Sequence, residues 1–495
     1  MTDRPFPPGS YPVVVIGSGP GGLQLSHDLR ASGVEHAVLS SDPGPAGMFR
    51  RFPLFQRLIT WTKPYAPSAR GTREYERYDW NSLLGSRPEE QALVAERLQG
   101  PTYFPARDEM EGGIADFVAR AGLAVRYGCT WGSTERTDDG WIVRTSDGEY
   151  RARILVCAVG MTQAWTPVIP GIELTTHYVD VKEPRTYADR DIFIIGKRNS
   201  GFEVADALLP WARRIVLASP RPARISIISR TTAAARARYM QPYEDHVLGG
   251  GNVVLDAAIE RIERIGDRFR VSTRSTSVPG SFTFETDEVI ACTGFTTPMR
   301  DLAALGMATF SQGRLPSQTP FWESTSMPGL FFAGSITQGS IGLKKYGIPS
   351  NSAAVHGFRY NARVLAGHIA RALGGAWETR PIPPAEVVDF LLREATTAPE
   401  LWNQMSYLAR VITFDPARGP ADEGILPLAW FVDASGSDAV AVTVETNGEG
   451  DIRPAAYVRR MGRVEEHLLP GDPLLSFETG EHRAALTASL LGFIE

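Results

Sequence analysis

The sequence predicts an α/β fold: two open, mostly parallel sheets followed by a small α+β C-terminal domain. Three observations predict it. A strand–glycine corner–helix–strand run stands near the start, and a second begins at Asp191. The pattern then changes after the Pro-rich stretch Arg380–Pro384, which reads as a linker. A chain of 495 residues has room for about three domains.

Val13-Val14-Val15-Ile16 is a short all-apolar run of the kind buried in a parallel sheet, and it enters Gly17-Ser18-Gly19-Pro20-Gly21-Gly22. A helix is expected from Leu23 to about Ala31, closed by Gly33, and a strand over His36–Leu39. In the second unit, Ile192–Ile195 enters Gly196-Lys197-Arg198-Asn199-Ser200-Gly201, followed by a helix over Phe202–Leu209 and a strand over Arg214–Ala218. Ile154–Val159 and Glu288–Cys292 read as strands that deliver Gly160 and Gly294 to a ligand. Leu330–Phe332 leads to Ala333-Gly334-Ser335, and a long helix is expected over Asn351–Leu373. Beyond the linker, Glu386–Glu394 reads as helix, Val440, Val442 and Val444 alternate as in a strand, and Asn447-Gly448 marks a hairpin turn.

Composition excludes several function classes. With 51 basic and 56 acidic residues the net charge is −5, so neither nucleic acid nor an anionic membrane is an expected partner. Apolar runs such as Ile154–Val159 fall far short of the roughly 20 residues of a membrane helix. Met1–Ser10 carries no apolar segment of a signal peptide, and a cytoplasmic chain is expected. Cys129, Cys157 and Cys292 lie far apart with no C-x-x-C pair, and read as small buried hydrophobes. That argues against a disulfide scaffold, a thiolate metal site and a dithiol oxidoreductase. Glu244, Asp245 and His246 are adjacent and cannot turn three side chains onto one ion, so no metal is expected.

The first corner fits G-x-G-x-x-G in its required context, after a strand and before a helix. Gly17 turns the chain, Gly19 lets backbone approach a pyrophosphate, and Gly22 lets helix and strand pack closely, with Pro20 and Gly21 between. The helix N-terminus offers N–H groups and its positive dipole end to phosphate. Two such corners predict two dinucleotide-binding, Rossmann-like domains of the glutathione-reductase-like type. Where a ribose-binding carboxylate is usual, Ser40 stands 18 residues after Gly22 with Asp42 just beyond, and either can bond a ribose hydroxyl. In the second corner Arg198 replaces the central glycine, and its fork suits phosphate. The following strand ends Ala218-Ser219-Pro220-Arg221; a hydroxyl with an Arg suits the 2′-phosphate of NADP, whereas an acid would select NAD. A solvated surface arginine is the other reading of Arg221. The expected domains are 1–165 with 290–375, 166–289, and 376–495, the crossover running through Trp165–Pro170 and the return near Ala291.

The order of Gly17–Gly22, Gly47-Met48-Phe49-Arg50, Tyr103–Arg107, Ala158–Gly160, Gly196–Gly201 and Ala291–Phe295 resembles the class B flavoprotein monooxygenases, of the N-hydroxylase and flavin-containing monooxygenase type. The resemblance implies FAD on the first corner and NADPH on the second. A flavin C4a-hydroperoxide would then pass one oxygen atom from O₂ to a small organic substrate. It further implies that Met48, Phe49 and Arg50 lie beside the flavin, that Gly160, Gly334 and Ser335 approach the flavin nucleotide, and that Thr293 and Gly294 form the A-T-G-Y/F element. Trp61, Trp131 and Lys344 complete the expected cofactor-binding set, with Gly196, Lys197, Asn199, Ser200, Gly201 and Ser219 on NADPH. A narrower resemblance covers nearly the whole chain. Tyr78–Leu84, Gly196–Glu203 and Leu401-Trp402-Asn403-Gln404-Met405 look like the FAD-dependent oxidoreductase-domain proteins, whose eukaryotic members reside in the secretory pathway. Without their signal peptide and retention tail, a cytoplasmic, bacterial-type relative is expected.

Departures from the pattern narrow the chemistry. The F-x-G-x-x-x-H fingerprint is not present in form: five residues separate Gly171 from His177 and no Phe precedes the glycine. His177 reads as a linker histidine, and elimination leaves hydroxylation of an amine nitrogen, in a bacterial biosynthetic pathway, ahead of Baeyer–Villiger or sulfur oxygenation. A non-catalytic, flavin-bearing adaptor for a partner protein is the reading from another class. Relatives place an Asn near the flavin in the stretch matching Leu58–Lys63, which here has none. Asn81 supplies the amide instead, or caps a helix before Ser82-Leu83-Leu84; Lys63 and Trp80 are the other catalytic candidates. Trp61 and Trp80 wall a flavin pocket or belong to the core. Only five of the basic residues are lysine, and Lys63, Lys197, Lys344 and Lys345 all fall near an expected cofactor. Lys344-Lys345 either pairs with cofactor phosphate or is a solvated loop. Among Arg224, Arg230, Arg236 and Arg238, one or two contacts to NADP are expected and the rest face solvent. A homo-oligomer is compatible with all of these readings.

Overall fold

The computed structural model describes residues 4–52, 57–226, 234–244, 251–340, 342–343, 345–376, 378–447 and 449–493. Arg230, Asp245, His246, Lys344 and Gly448 lie outside the described residues. The chain forms two compact units: Met1–Arg50, Thr60–Gly160 and Thr297–Glu495 make the first, and Arg51–Ile59 with Met161–Thr296 make the second.

The first unit opens with β1 (Gly9–Ile16), α1 (Pro20–Ala31) and β2 (His36–Leu39). The helix begins at Pro20, three residues before the expected Leu23, because a first-turn N–H has no intrahelical partner to lose and proline's φ suits that position. After α2 (Arg107–Arg120), β3 (Trp131–Thr137), β4 (Gly140–Thr145) and β5 (Gly148–Cys157) form an antiparallel meander. β5 returns beside β1 in parallel, with Val14 opposite both Ala37 and Leu155. The sheet runs β2-β1-β5-β4-β3. Its buried side includes Val14, Ile16, Leu39, Leu155 and Cys157.

The second unit carries β6 (Thr176–His177), β7 (Asp191–Ile195), α3 (Asn199–Leu208), β8 (Arg214–Ser219), α4 (Ala237–Glu244), β9 (Asn252–Ile265), β10 (Arg268–Ser275), β11 (Ser281–Thr286) and β12 (Glu288–Ala291). Its sheet runs β11-β10-β9-β8-β7-β12-β6. The pairs from β9 through β6 are parallel, and β9–β11 is an antiparallel extension.

The chain re-enters the first unit, where β13 (Leu330–Phe332) adds to β5 in parallel and α5 (Val355–Ala372) follows. The C-terminal part of this unit holds β14 (Arg380–Pro381), α6 (Val387–Thr397), α7 (Pro399–Asn403), β15 (Leu408–Asp415), β16 (Gly419–Pro427), β17 (Ala439–Thr446), β18 (Ile452–Arg460), β19 (Arg463–Leu468) and α8 (Gly480–Ser489). The strands make one antiparallel sheet, β14-β16-β15-β17-β18-β19. Val440, Val442 and Val444 do alternate, packing with Ile412, Ala456 and Val458 against Leu391, Leu401 and Leu486 of the helices. The architecture is thus α/β with two Rossmann-like sheets and an added α+β part. Among the described residues no helix is long and apolar enough to cross a membrane, and no group of His, Cys, Asp and Glu side chains is placed to hold a metal ion.

Candidate functional site

The first corner is built by close backbone approaches. Gly17 has φ 117°, and a side chain there would overlap the carbonyl oxygen of Ala158. A methyl group on Gly22 would overlap the carbonyl of Gly17, and one on Gly21 would overlap Gly334. Gly19 differs: a methyl group built on it meets no atom within 4 Å. Gly19 caps α1 with extended backbone, no side chain caps the helix, and no acid lies in its first turn. The first-turn N–H groups lie outside the helix's own hydrogen-bond ladder. An open backbone face beside an uncapped helix N-terminus fits a dinucleotide pyrophosphate. The corner therefore fits the pyrophosphate of FAD, which Gly17, Gly19, Pro20, Gly21 and Gly22 would cradle.

Ser40 and Asp42 follow β2. The buried Ser40 hydroxyl accepts a hydrogen bond from Ser18 Oγ at 2.7 Å and from the backbone N–H of Asp42 at 3.2 Å. A methyl group on Gly47 would press on Gly19 Cα and stand 3.9 Å from Asp42 Oδ2. Asp42 and the short helix Gly47–Arg50, with Met48 and Phe49, are therefore gathered at Gly19. Arg50 points its guanidinium to Glu111 of α2 at 3.1 Å. Gly160 follows β5, and Ser335 follows Gly334. Trp131 is in the sheet core, its indole N–H donating to Thr134 Oγ1 at 2.9 Å.

Asn81 is fully buried in a polar network. Its Oδ1 accepts from Thr60 Oγ1 at 2.5 Å, its Nδ2 donates to Thr62 Oγ1 at 3.0 Å, and its backbone N–H donates to Asp79 Oδ1 at 3.1 Å. The segments around Thr62 and Asp79 pair antiparallel, which sets Trp61 edge-on to Trp80 with ring centres 5.2 Å apart. Trp80 stacks on His356 of α5 at 4.2 Å. Gln24 of α1 bonds both backbone groups of Leu84, and Arg359 of α5 donates to the Ser82 carbonyl at 2.7 Å. The Asn81 segment is thus held between α1 and α5. Lys63 contributes its backbone carbonyl to Tyr75, at 2.8 Å, and its side chain is exposed. Ser18, Thr60 and Asp79 lie inside segments that stand out in the sequence, but their side-chain roles, like that of His356, are set by partners distant in the chain.

In the second unit Gly196 has φ 125°, and a side chain there would strike the Cys292 carbonyl; a methyl group on Gly201 would overlap the carbonyl of Gly196. Arg198 is exposed at the N-terminus of α3, which has no side-chain cap and no acid in its first turn. Lys197 is buried and ion-paired with Asp256. Asn199 ties the loop before α4, donating to the Ala234 carbonyl at 2.9 Å and accepting the Arg236 N–H at 3.1 Å. Ser200 opens α3 beside Cys292, whose thiol faces the Ser200 carbonyl. Ser219 Oγ bonds the Arg221 carbonyl at 3.4 Å, and the Arg221 side chain is exposed at the end of β8. Thr293 donates to the Trp165 carbonyl at 2.6 Å, and a methyl group on Gly294 meets nothing within 4 Å. Arg238 is turned to the carbonyls of Arg57 and Leu58, 3.0 Å from each. His177 Nδ1 accepts the Val179 N–H at 3.3 Å, capping a turn, and burial holds its pKa below the usual value. Glu203 of α3 is buried, accepts the Tyr178 hydroxyl at 3.0 Å, and is pushed up to about 8 by burial.

All three cysteines are buried and free, and burial pushes each thiol above its usual pKa. Thiols held protonated inside the core are poor nucleophiles for disulfide exchange.

Known proteins agree with this architecture. Residues 14–334 match the family model for pyridine nucleotide-disulphide oxidoreductase. The chain is 26% identical over 460 residues to FAD-dependent oxidoreductase domain-containing protein 2 of Danio rerio, covering 81% of this chain and 65% of that protein. A flavin-containing monooxygenase from Stenotrophomonas maltophilia superposes with a TM-score of 0.56 at 20% identity, over 74% of this chain and 99% of that one. The bacillithiol disulfide reductase of Bacillus cereus superposes with a TM-score of 0.56 at 19% identity, over 74% of this chain and 100% of that one. Both structures speak for the fold. The chain belongs to the pyridine nucleotide-disulphide oxidoreductase family, a family of FAD-dependent oxidoreductases.

Proposed function

We propose that the chain is an NADPH-dependent FAD monooxygenase that transfers one oxygen atom from O₂ to a small organic substrate, an amine nitrogen being the preferred acceptor. The observation that carries this reading is the pairing of two uncapped glycine corners with three buried, protonated thiols. With no exposed pair of thiols to carry electrons to a disulfide, we take O₂ as the acceptor of electrons entering from a nicotinamide nucleotide. FAD, when bound, supplies the hydride acceptor and the centre at which O₂ is activated.

Residues 1–165 with 290–375 would hold FAD, through Gly17, Gly19 and Gly22 with Gly160 and Gly334. Residues 166–289 would hold NADPH, through Gly196, Asn199, Ser200 and Gly201, with Ser219 and Arg221 on the 2′-phosphate. The buried amide of Asn81, locked by Thr60 and Thr62, would orient a hydrogen bond toward the reacting oxygen. Trp61 and Trp80 would exclude water there, and Lys63 would meet the substrate from the exposed side.

The test is oxygen incorporation. With NADPH, isotopically labelled O₂ and a panel of small amines, ketones and thioethers, one labelled oxygen atom per NADPH consumed is expected in an amine product. Label in a ketone or sulfur product would move the acceptor. NADPH oxidation that yields only peroxide across the panel would contradict monooxygenation.

A further inference from the structure

Leu401-Trp402-Asn403-Gln404-Met405 stands out in the sequence and has no part in either glycine corner. In the structure Gln404 follows α7 and is 1% exposed. Its Oε1 accepts the backbone N–H of Asn351 at 3.1 Å, and its Nε2 donates to Asn361 Oδ1 at 2.7 Å and to Ser352 Oγ at 2.8 Å. Asn361, on α5, donates in turn to Thr337 Oγ1 at 3.1 Å and to Ser352 Oγ at 2.9 Å. Thr337 donates to the Gly334 carbonyl at 2.7 Å. Gly334 is the residue that a methyl group on Gly21 would overlap. A run of hydrogen bonds therefore joins the C-terminal part of the unit to Gly334, whose backbone lies close against Gly21 of the first corner.

The run has a direction. A backbone N–H can only donate and a backbone carbonyl can only accept. With the Asn351 N–H at one end and the Gly334 carbonyl at the other, each amide between them fits in one orientation; flipping either would set oxygen against oxygen. Gln404, Ser352, Asn361 and Thr337 are all buried. Breaking one link in such a site leaves a buried polar group unmatched, at a cost of about 1–3 kcal/mol. Other ties converge on the same segment. Asn351 Nδ2 donates to the Asn403 carbonyl at 2.9 Å, the Tyr407 ring fills the place of a side chain at Gly342, and Lys345 is ion-paired with Glu445 and Glu466 of the C-terminal sheet.

We propose that Gln404 is a positioning residue for the FAD site: through Asn361 and Thr337 it fixes Gly334 against Gly21, so that the C-terminal part sets the affinity for FAD. The proposal rests on the reading of the Gly17–Gly22 corner as the FAD site.

The full chain is stripped of FAD and titrated with it, following flavin fluorescence, and thermal unfolding of each apoprotein is measured alongside. Gln404→Leu keeps the volume and removes both hydrogen-bonding ends. Gln404→Glu keeps the shape and replaces the donor by oxygen, and Thr337→Val cuts the last link. Each is expected to raise the Kd for FAD by about tenfold. Because Gln404→Leu and Thr337→Val break one run, the double variant is expected to lose no more than about twofold beyond the weaker-binding single. Wild-type FAD affinity in a folded Gln404→Leu protein would overturn the proposal, as would losses that multiply in the double. A merely structural role lowers the apoprotein melting temperature and leaves the Kd and its coupling alone. If Gln404→Leu does not fold, Gln404→Glu and Thr337→Val decide in its place. A wild-type protein that takes up no FAD would instead overturn the cofactor reading beneath it.

Discussion

At both corners the outer glycines have the same task. Gly17 and Gly196 both turn the chain at positive φ, each against the carbonyl of a neighbouring strand, Ala158 in one unit and Cys292 in the other. Gly22 and Gly201 both let a helix lie on the carbonyl that opens the loop. The position between them differs. Gly19 in the first unit presents bare backbone, whereas the second unit has the exposed side chain of Arg198. The helices differ again two residues past the last glycine. There Gln24 bonds the backbone of Leu84, and Glu203 holds a buried carboxyl against Tyr178. Close packing therefore fixes the outer glycines at both corners, and the contrast in ligand binding is expected from Gly19 against Arg198.

The largest effect is expected where that shared geometry is broken. Gly22→Ala should destabilise its unit by more than about 3 kcal/mol, because the new methyl group meets backbone that cannot yield. Gly201→Ala should do the same to the second unit, and urea unfolding checks both. Gly19→Ala separates ligand from fold. It should leave the apoprotein within about 0.5 kcal/mol of wild type and weaken FAD binding by about a hundredfold, since a methyl group there meets only the approaching pyrophosphate. A stability loss like that of Gly22→Ala would erase the distinction between the positions.

Glu203 offers a pH signature that Gln24 cannot. Its folded pKa, about 8, lies above its ordinary 4.5, so between those values the folded chain binds a proton that the unfolded chain has released. Stability should fall as pH rises through that window, by about 1.4 kcal/mol per unit, and level off above it. Glu203→Gln should flatten the profile, while Gln24→Leu should shift stability equally at every pH. The smallest effect is reserved for the surface of the second corner. Arg221→Ala should raise the KM for NADPH by about tenfold and leave NADH use nearly unchanged. Equal losses with both nucleotides would return Arg221 to the solvated surface.

Both corners are legible in the sequence because their geometry is local: Gly17 to Gly22 and Gly196 to Gly201 each settle their own backbone. The parallel strands are legible because Val13–Ile16 and Ile192–Ile195 are apolar on both faces. The β9–β11 extension is not, because Asn252–Ile265 mixes Glu and Arg into a strand with an exposed face. The roles of individual polar residues are hidden for another reason. Lys197 reads as an NADPH-site residue, and its ion pair with Asp256, 59 residues on, has no local signal. Asn81 reads either as a flavin-facing amide or as a helix cap, and nothing local announces that Thr60, 21 residues before it, bonds its oxygen. Gln404 likewise finds its partners 43 and 52 residues away. Side-chain pairing across such separations is decided by the packing of strands and helices, which no short motif encodes.

The most direct measurement is anaerobic titration of the purified flavoprotein with NADPH and, separately, NADH, following the visible flavin band. Full bleaching is expected at one equivalent of NADPH, with NADH markedly less effective. A flavin band unchanged by either nucleotide would contradict that expectation and point to a chain that carries FAD without passing electrons.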